Sequence, residues 1–84
     1  MTLRLNGALF GNGTQIHNYL ANQLGFPAWY GRNLDALYDL LTERAEDTEL
    51  VLVNWPEEGP LRRFLPVLLD AAEENSHLHV TIVE

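Results

Sequence analysis

Asp35, Asp39 and Glu43 stand at intervals of four residues, a spacing that lines three carboxylates along one side of a helix. Like charges so placed repel and cost a helix about 0.2–0.5 kcal/mol per pair. Asp35 belongs to the first turn, where the helix dipole favours a negative charge; Asp39 and Glu43 have no such compensation. Two carboxylates on one face can act as general acid and base only with a cleft and a nucleophile or metal beside them. The sequence supplies neither, so the chain is not read as an enzyme and no catalytic residue is assigned. The row is then either an ordinary solvated face or a docking face for another protein's cations.

The segment before that helix, Gly25-Phe26-Pro27-Ala28-Trp29-Tyr30-Gly31-Arg32, places three aromatic residues within five positions. So small a core cannot take all three, and aromatic anchors bordering a charged helix face are features of a protein-binding hot spot. Trp29 reads as a contact, while Tyr30 stays open between contact and core cap. His77 and His79 share a strand face, but two ligands without a third read as a polar sheet face, so no metal is expected. His17, near the start of the first helix, has no visible partner and reads as surface. Arg62-Arg63 reads as exposed or paired with Glu58 or Glu73.

Twelve acidic residues face five basic ones, giving −7; all five are arginine. A phosphate binder needs the opposite balance, so neither nucleic acid nor an anionic membrane is an expected partner. An acidic field of this size speeds encounter with a basic protein, although it would also serve solubility alone. With no cysteine there is no disulfide and no thiolate metal site, which suits a reducing cytosol. The opening residues are too short and mixed for a signal peptide's apolar core, and no apolar run approaches a membrane span. Cytoplasmic localisation and a free monomer without cofactors are the expectations. At 84 residues, one domain over 1–84 is the economical reading.

The elements that must hold these residues follow from patterning. Thr2-Leu3-Arg4-Leu5-Asn6 alternates and ends in Asn6-Gly7, a short strand and a turn. Asn12-Gly13-Thr14 supplies a turn and an N-cap for a helix over 14–24, with Ile16, Leu20 and Leu24 inward and Gly25 ending it. Asn33 caps a second helix over 33–44, with Leu34, Leu37 and Leu41 as its inward stripe. The apolar run over 49–54 predicts a strand covered on both faces. Leu61, Phe64, Leu65, Leu68 and Ala72 keep helical phase over 60–74, with Pro66 imposing a kink or a short turn before the main helix. Residues 78–83 alternate as a last strand. Strands separated by helices predict an α/β fold: a three-stranded parallel sheet flanked by three or four helices, with the first strand in the middle.

The stretch from Pro27 to Thr42, Pro-Ala-Trp-Tyr-Gly-Arg-Asn-Leu-Asp-Ala-Leu-Tyr-Asp-Leu-Leu-Thr, resembles the signature of the barstar family of intracellular ribonuclease inhibitors. The likeness extends from the opening Leu-Asn-Gly strand end to the closing Val-Thr-Ile-Val. It implies a 1:1 complex in which the acidic helix and its preceding loop plug the active site of a basic, extracellular-type ribonuclease. By motif position, Asp39 would enter the pocket that holds the RNA phosphate, and Asp35 would pair with neighbouring cations. Gly31 and Asn33 would lie in the contact loop, with Trp29 and Tyr38 as aromatic contacts. The expected contact set is Trp29, Tyr30, Gly31, Asn33, Leu34, Asp35, Tyr38, Asp39, Thr42 and Glu43. The third helix's acidic contact stays open among Asp70, Ala71, Ala72 and Glu73. Tryptophan at 29, tyrosine at 38 and Glu43-Arg44 depart from the family pattern, and Arg44 would set a positive charge near a basic partner. The alternative is an immunity-type antitoxin or nucleic-acid mimic acting on a different basic toxin or enzyme.

Overall fold

A computed structural model describes residues 1–83. Along the chain run β1 (Thr2–Asn6), α1 (Gly13–Leu24), α2 (Leu34–Thr42), β2 (Thr48–Val53), α3 (Phe64–Glu74) and β3 (Leu78–Val83), with single 3-10 turns at Gly7–Leu9 and Pro60–Arg63. The fold is α/β, built on a three-stranded, wholly parallel sheet in the order β1-β2-β3. No helix among the described residues is long and apolar enough to cross a membrane.

Local chemistry sets the helix ends. The Asn12 side chain accepts from Gln15 N–H (3.0 Å) at the start of α1, so the helix begins at Gly13, one residue before the predicted boundary. Gly25 ends α1 in the left-handed region (φ 70°, ψ 37°), a conformation that costs any residue with a Cβ. The predicted third helix divides into the turn at Pro60–Arg63 and α3 proper. Pro66 lies in the first turn of α3, where its missing N–H leaves no helical acceptor unfilled.

Two expectations about the sheet are corrected together. The central strand is β2, not β1, and the helices cover one face of the sheet rather than both. Leu3, Leu5, Leu50, Leu52 and Leu78 point to one face and join Ile16, Leu20, Leu37, Leu41, Leu65 and Leu68 in one core. On the opposite face Arg4, His79, Thr81 and Val83 are exposed, and Glu49 and Val51 are half-buried. One physical rule accounts for both results. Parallel crossovers keep a single hand, so strands added successively in one direction leave every connecting helix on the same side. A first strand in the middle would reverse direction and put helices on both faces. The apolar run of β2 reflects its two strand neighbours and the core beneath it, with no second helical layer above.

Candidate functional site

The loop from Gly25 to Asn33 leaves α1 and delivers the chain to α2. Phe26 N–H donates to Ala21 O and Tyr30 N–H to Pro27 O (both 3.0 Å), which curls the loop into tight turns. Asn33 then caps α2: Ala36 N–H donates to its Oδ1 at 2.8 Å, and its Nδ2 leans toward Gly31 O at 3.5 Å. Its side-chain cap and the backbone bond from Leu37 N–H to Asn33 O (3.0 Å) set where the helix starts and hence where Asp35 and Asp39 point.

The three loop aromatics separate cleanly. Trp29 is 76% exposed, Phe26 is half-buried, and Tyr30 is 3% exposed. The Tyr30 ring takes the core-cap place of the two left open: it packs edge-on against Phe26, with ring centroids 4.9 Å apart, and it positions the loop from below. Its hydroxyl is hydrogen-bonded to His17 Nδ1 at 2.5 Å. This overturns the surface assignment of His17, which is 6% exposed and packs against Phe64 of α3 at 4.9 Å. The signal was available, since His17 directly follows Ile16 on the buried side of α1, but its partner lies thirteen residues away on a loop that only folding brings over it. Burial, and then the nearby Arg32 guanidinium, hold the His17 imidazole below its usual pKa. Burial pushes the Tyr30 phenol up to about 12, against the opposing pull of Arg32.

On α2 the inward stripe is Leu37 and Leu41, fully buried, with Leu34 and Leu40 half-buried beside it. Asp35, Asp39 and Glu43 are exposed, and among the described residues none of their carboxylates is within salt-bridge distance of a cation. Gly31 and Asn33 are exposed as well, while Tyr38 and Thr42 are half-buried. Thr42 turns its hydroxyl back to Asp39 O (2.9 Å), so it trims the helix end instead of presenting a free donor. Partial burial, with the carboxylates of Glu74, Asp70 and Asp39, raises the Tyr38 phenol. Asp70 and Glu74, one helical turn apart on α3, therefore extend the negative field of α2 across the helix pair. The sequence leaves the α3 acid open among residues 70–73 and does not point to Glu74, because helical phase alone does not say which side of α3 lies beside Tyr38.

Arg44, whose charge the resemblance would set near a basic partner, turns its guanidinium into the fold. Nη1 donates to Leu24 O at the end of α1 (2.9 Å), Nε donates to Thr48 Oγ1 (2.6 Å), and Nη2 pairs with Glu46 (2.6 Å). With its side chain 13% exposed, Arg44 ties the C-terminal ends of α1 and α2 to the start of β2. The histidine pair is also divided: His77 Nδ1 meets Asp47 Oδ1 at 2.7 Å, which lowers the Asp47 pKa, while His79 stands on the open sheet face. Arg62 and Arg63 are exposed, with no carboxylate of the described residues within salt-bridge distance.

The arrangement presents carboxylates with no salt-bridge partner among the described residues, an exposed indole and a capped helix start on one continuous segment. Comparison with known proteins supplies a family for the whole fold. The family described as "Barstar (barnase inhibitor)" matches residues 1–82. A Bacillus subtilis (strain 168) protein named "Putative ribonuclease inhibitor YrdF" is 50% identical over 38 residues. That stretch is 45% of this chain and spans 42% of the relative's own length. On the extent of the family match, the chain belongs to the barstar family.

Proposed function

We propose that this chain inhibits a basic microbial ribonuclease by seating α2 and the Trp29 loop in its active site, one inhibitor to one enzyme. The observation that carries the reading is the exposed pair Asp35 and Asp39, one turn apart and with no cation within salt-bridge distance among the described residues, beside a 76% exposed Trp29. A ribonuclease active site holds a phosphodiester with cationic groups. A carboxylate on a preorganised helix can fill that place, gaining charge-assisted hydrogen bonds without paying to order a flexible segment. Asp39 takes the phosphate position, Asp35 pairs with flanking cations, and Trp29 and Tyr38 make the apolar contacts. Asp70 and Glu74 extend the acidic surface on α3. The family match over 1–82 and the relative's name both support inhibition over catalysis.

Purified chain titrated into basic microbial ribonucleases should abolish RNA cleavage at one equivalent. The association rate should fall steeply as salt is raised, because the −7 charge steers the encounter. If no ribonuclease is inhibited but a different basic toxin is captured with the same salt dependence, the antitoxin reading replaces this one.

A further inference from the structure

Arg32 is a cation set into the loop between Trp29 and the acidic face of α2. It is exposed, and among the described residues no carboxylate lies within salt-bridge distance of it. Arg44, by contrast, is consumed by its own fold contacts. Nor is Arg32 a loose surface chain. Nε donates to Asn18 Oδ1 on α1 (2.6 Å), Nη1 donates to Tyr30 O (3.2 Å), and the guanidinium carbon lies 5.9 Å from the centroid of the Tyr30 ring. Its backbone sits in the left-handed region at φ 52°, a conformation that favours glycine or asparagine over arginine.

We propose that Arg32 is a specificity-determining residue: it requires the inhibited enzyme to present a carboxylate opposite it and rejects relatives that carry a cation there. This rests on the ribonuclease-inhibitor reading above. A guanidinium carries five N–H donors, and the bonds to Asn18 and Tyr30 use two, which leaves three free to donate outward. The free donors sit on a side chain whose position is already fixed, so little rotamer entropy is lost when a carboxylate meets them. An uncharged loop would attract any basic enzyme more strongly. A fixed positive charge lowers that general attraction, and a partner cation buried against it would have no counter-ion. Discrimination among basic partners by such a repulsive element is the usual route to selectivity when every candidate shares one sign of charge.

The test uses a basic microbial ribonuclease that the wild-type chain inhibits, with Arg32→Ala, Arg32→Glu and Asn18→Ala compared by inhibition titration and thermal melting. Arg32→Ala should weaken inhibition about tenfold and Arg32→Glu about a hundredfold or more. Reversing one Asp or Glu to Arg on the ribonuclease surface should restore most of the loss in Arg32→Glu, while Asn18→Ala, which keeps the charge, should bind within about threefold of wild type. Equal or tighter inhibition by Arg32→Glu would overturn the assignment. So would equal losses in all three variants accompanied by lowered melting temperatures, which would make Arg32 a loop clasp only. Failure of the wild-type chain to inhibit any ribonuclease would overturn the functional reading first, and this assignment with it.

Discussion

His17 Nδ1 and the Tyr30 hydroxyl meet at 2.5 Å inside the core, joining α1 to the loop that carries Trp29. The loop's outward face is thereby held by a bond on its inward face. Tyr30→Phe deletes the hydroxyl and leaves a buried imidazole nitrogen without its partner, at a cost of about 1–3 kcal/mol in a denaturant titration. The pH dependence has a definite sign. Burial lowers the folded-state pKa of His17 below 6.5, so the unfolded chain takes up the proton first. Its contribution to stability is whole above pH 6.5 and declines as pH falls from there through the folded pKa. Replacing His17 with Gln should flatten that decline in melts recorded across the window; an unchanged pH profile would contradict the buried assignment.

Arg44→Ala separates a fold role from a partner role. Removing three donors leaves the Leu24 carbonyl and Thr48 hydroxyl short of partners, and stability should fall by about 1–3 kcal/mol. Inhibition by the protein that remains folded should be unchanged. A clear gain in affinity at unchanged stability would show instead that the charge faces a basic partner.

Trp29→Ala should do the reverse. An indole that is 76% exposed contributes little to the core, so the unfolding midpoint should move by no more than about 0.5 kcal/mol in stability. Loss of an aromatic anchor should weaken inhibition by about 2 kcal/mol or more, read from the titration midpoint. Normal inhibition with a collapsed melting point would make Trp29 a core cap.

What the sequence disclosed follows from how local each feature is. Asn12, Gly25 and Asn33 mark helix ends through bonds that span only a few residues, so the predicted elements lie within a few residues of the observed ones. The exposure of Asp35 and Asp39 follows from their phase against Leu37 and Leu41 on one helix. Features set by distant parts of the chain were not legible. The order of the strands depends on the direction in which successive crossovers travel, which no single segment encodes. His17 owes its burial to a loop that closes over it. Asn75, buried at the end of α3, donates to Leu41 O (2.9 Å) and Arg44 O (2.8 Å) more than thirty residues away, and only folding shows that it caps the end of α2.

Asp39→Asn tests the central claim most directly, because fold and function place opposite demands on that position. In the free chain Asp39 sits mid-helix between Asp35 and Glu43, and its carboxylate has no cationic partner among the described residues. Asparagine keeps the shape and removes the repulsion, so stability should hold or rise by a few tenths of a kcal/mol, about the size of such helix pairs. In the complex the same change leaves the enzyme's phosphate-binding cations buried without a counter-charge, a loss of about 3–5 kcal/mol. The measurement is one Asp39→Asn preparation taken through a denaturant titration and a ribonuclease inhibition titration. The account predicts an unfolding midpoint at or above wild type together with inhibition weakened at least a hundredfold, about 2.7 kcal/mol. Inhibition equal to wild type would contradict the phosphate-mimic role of Asp39.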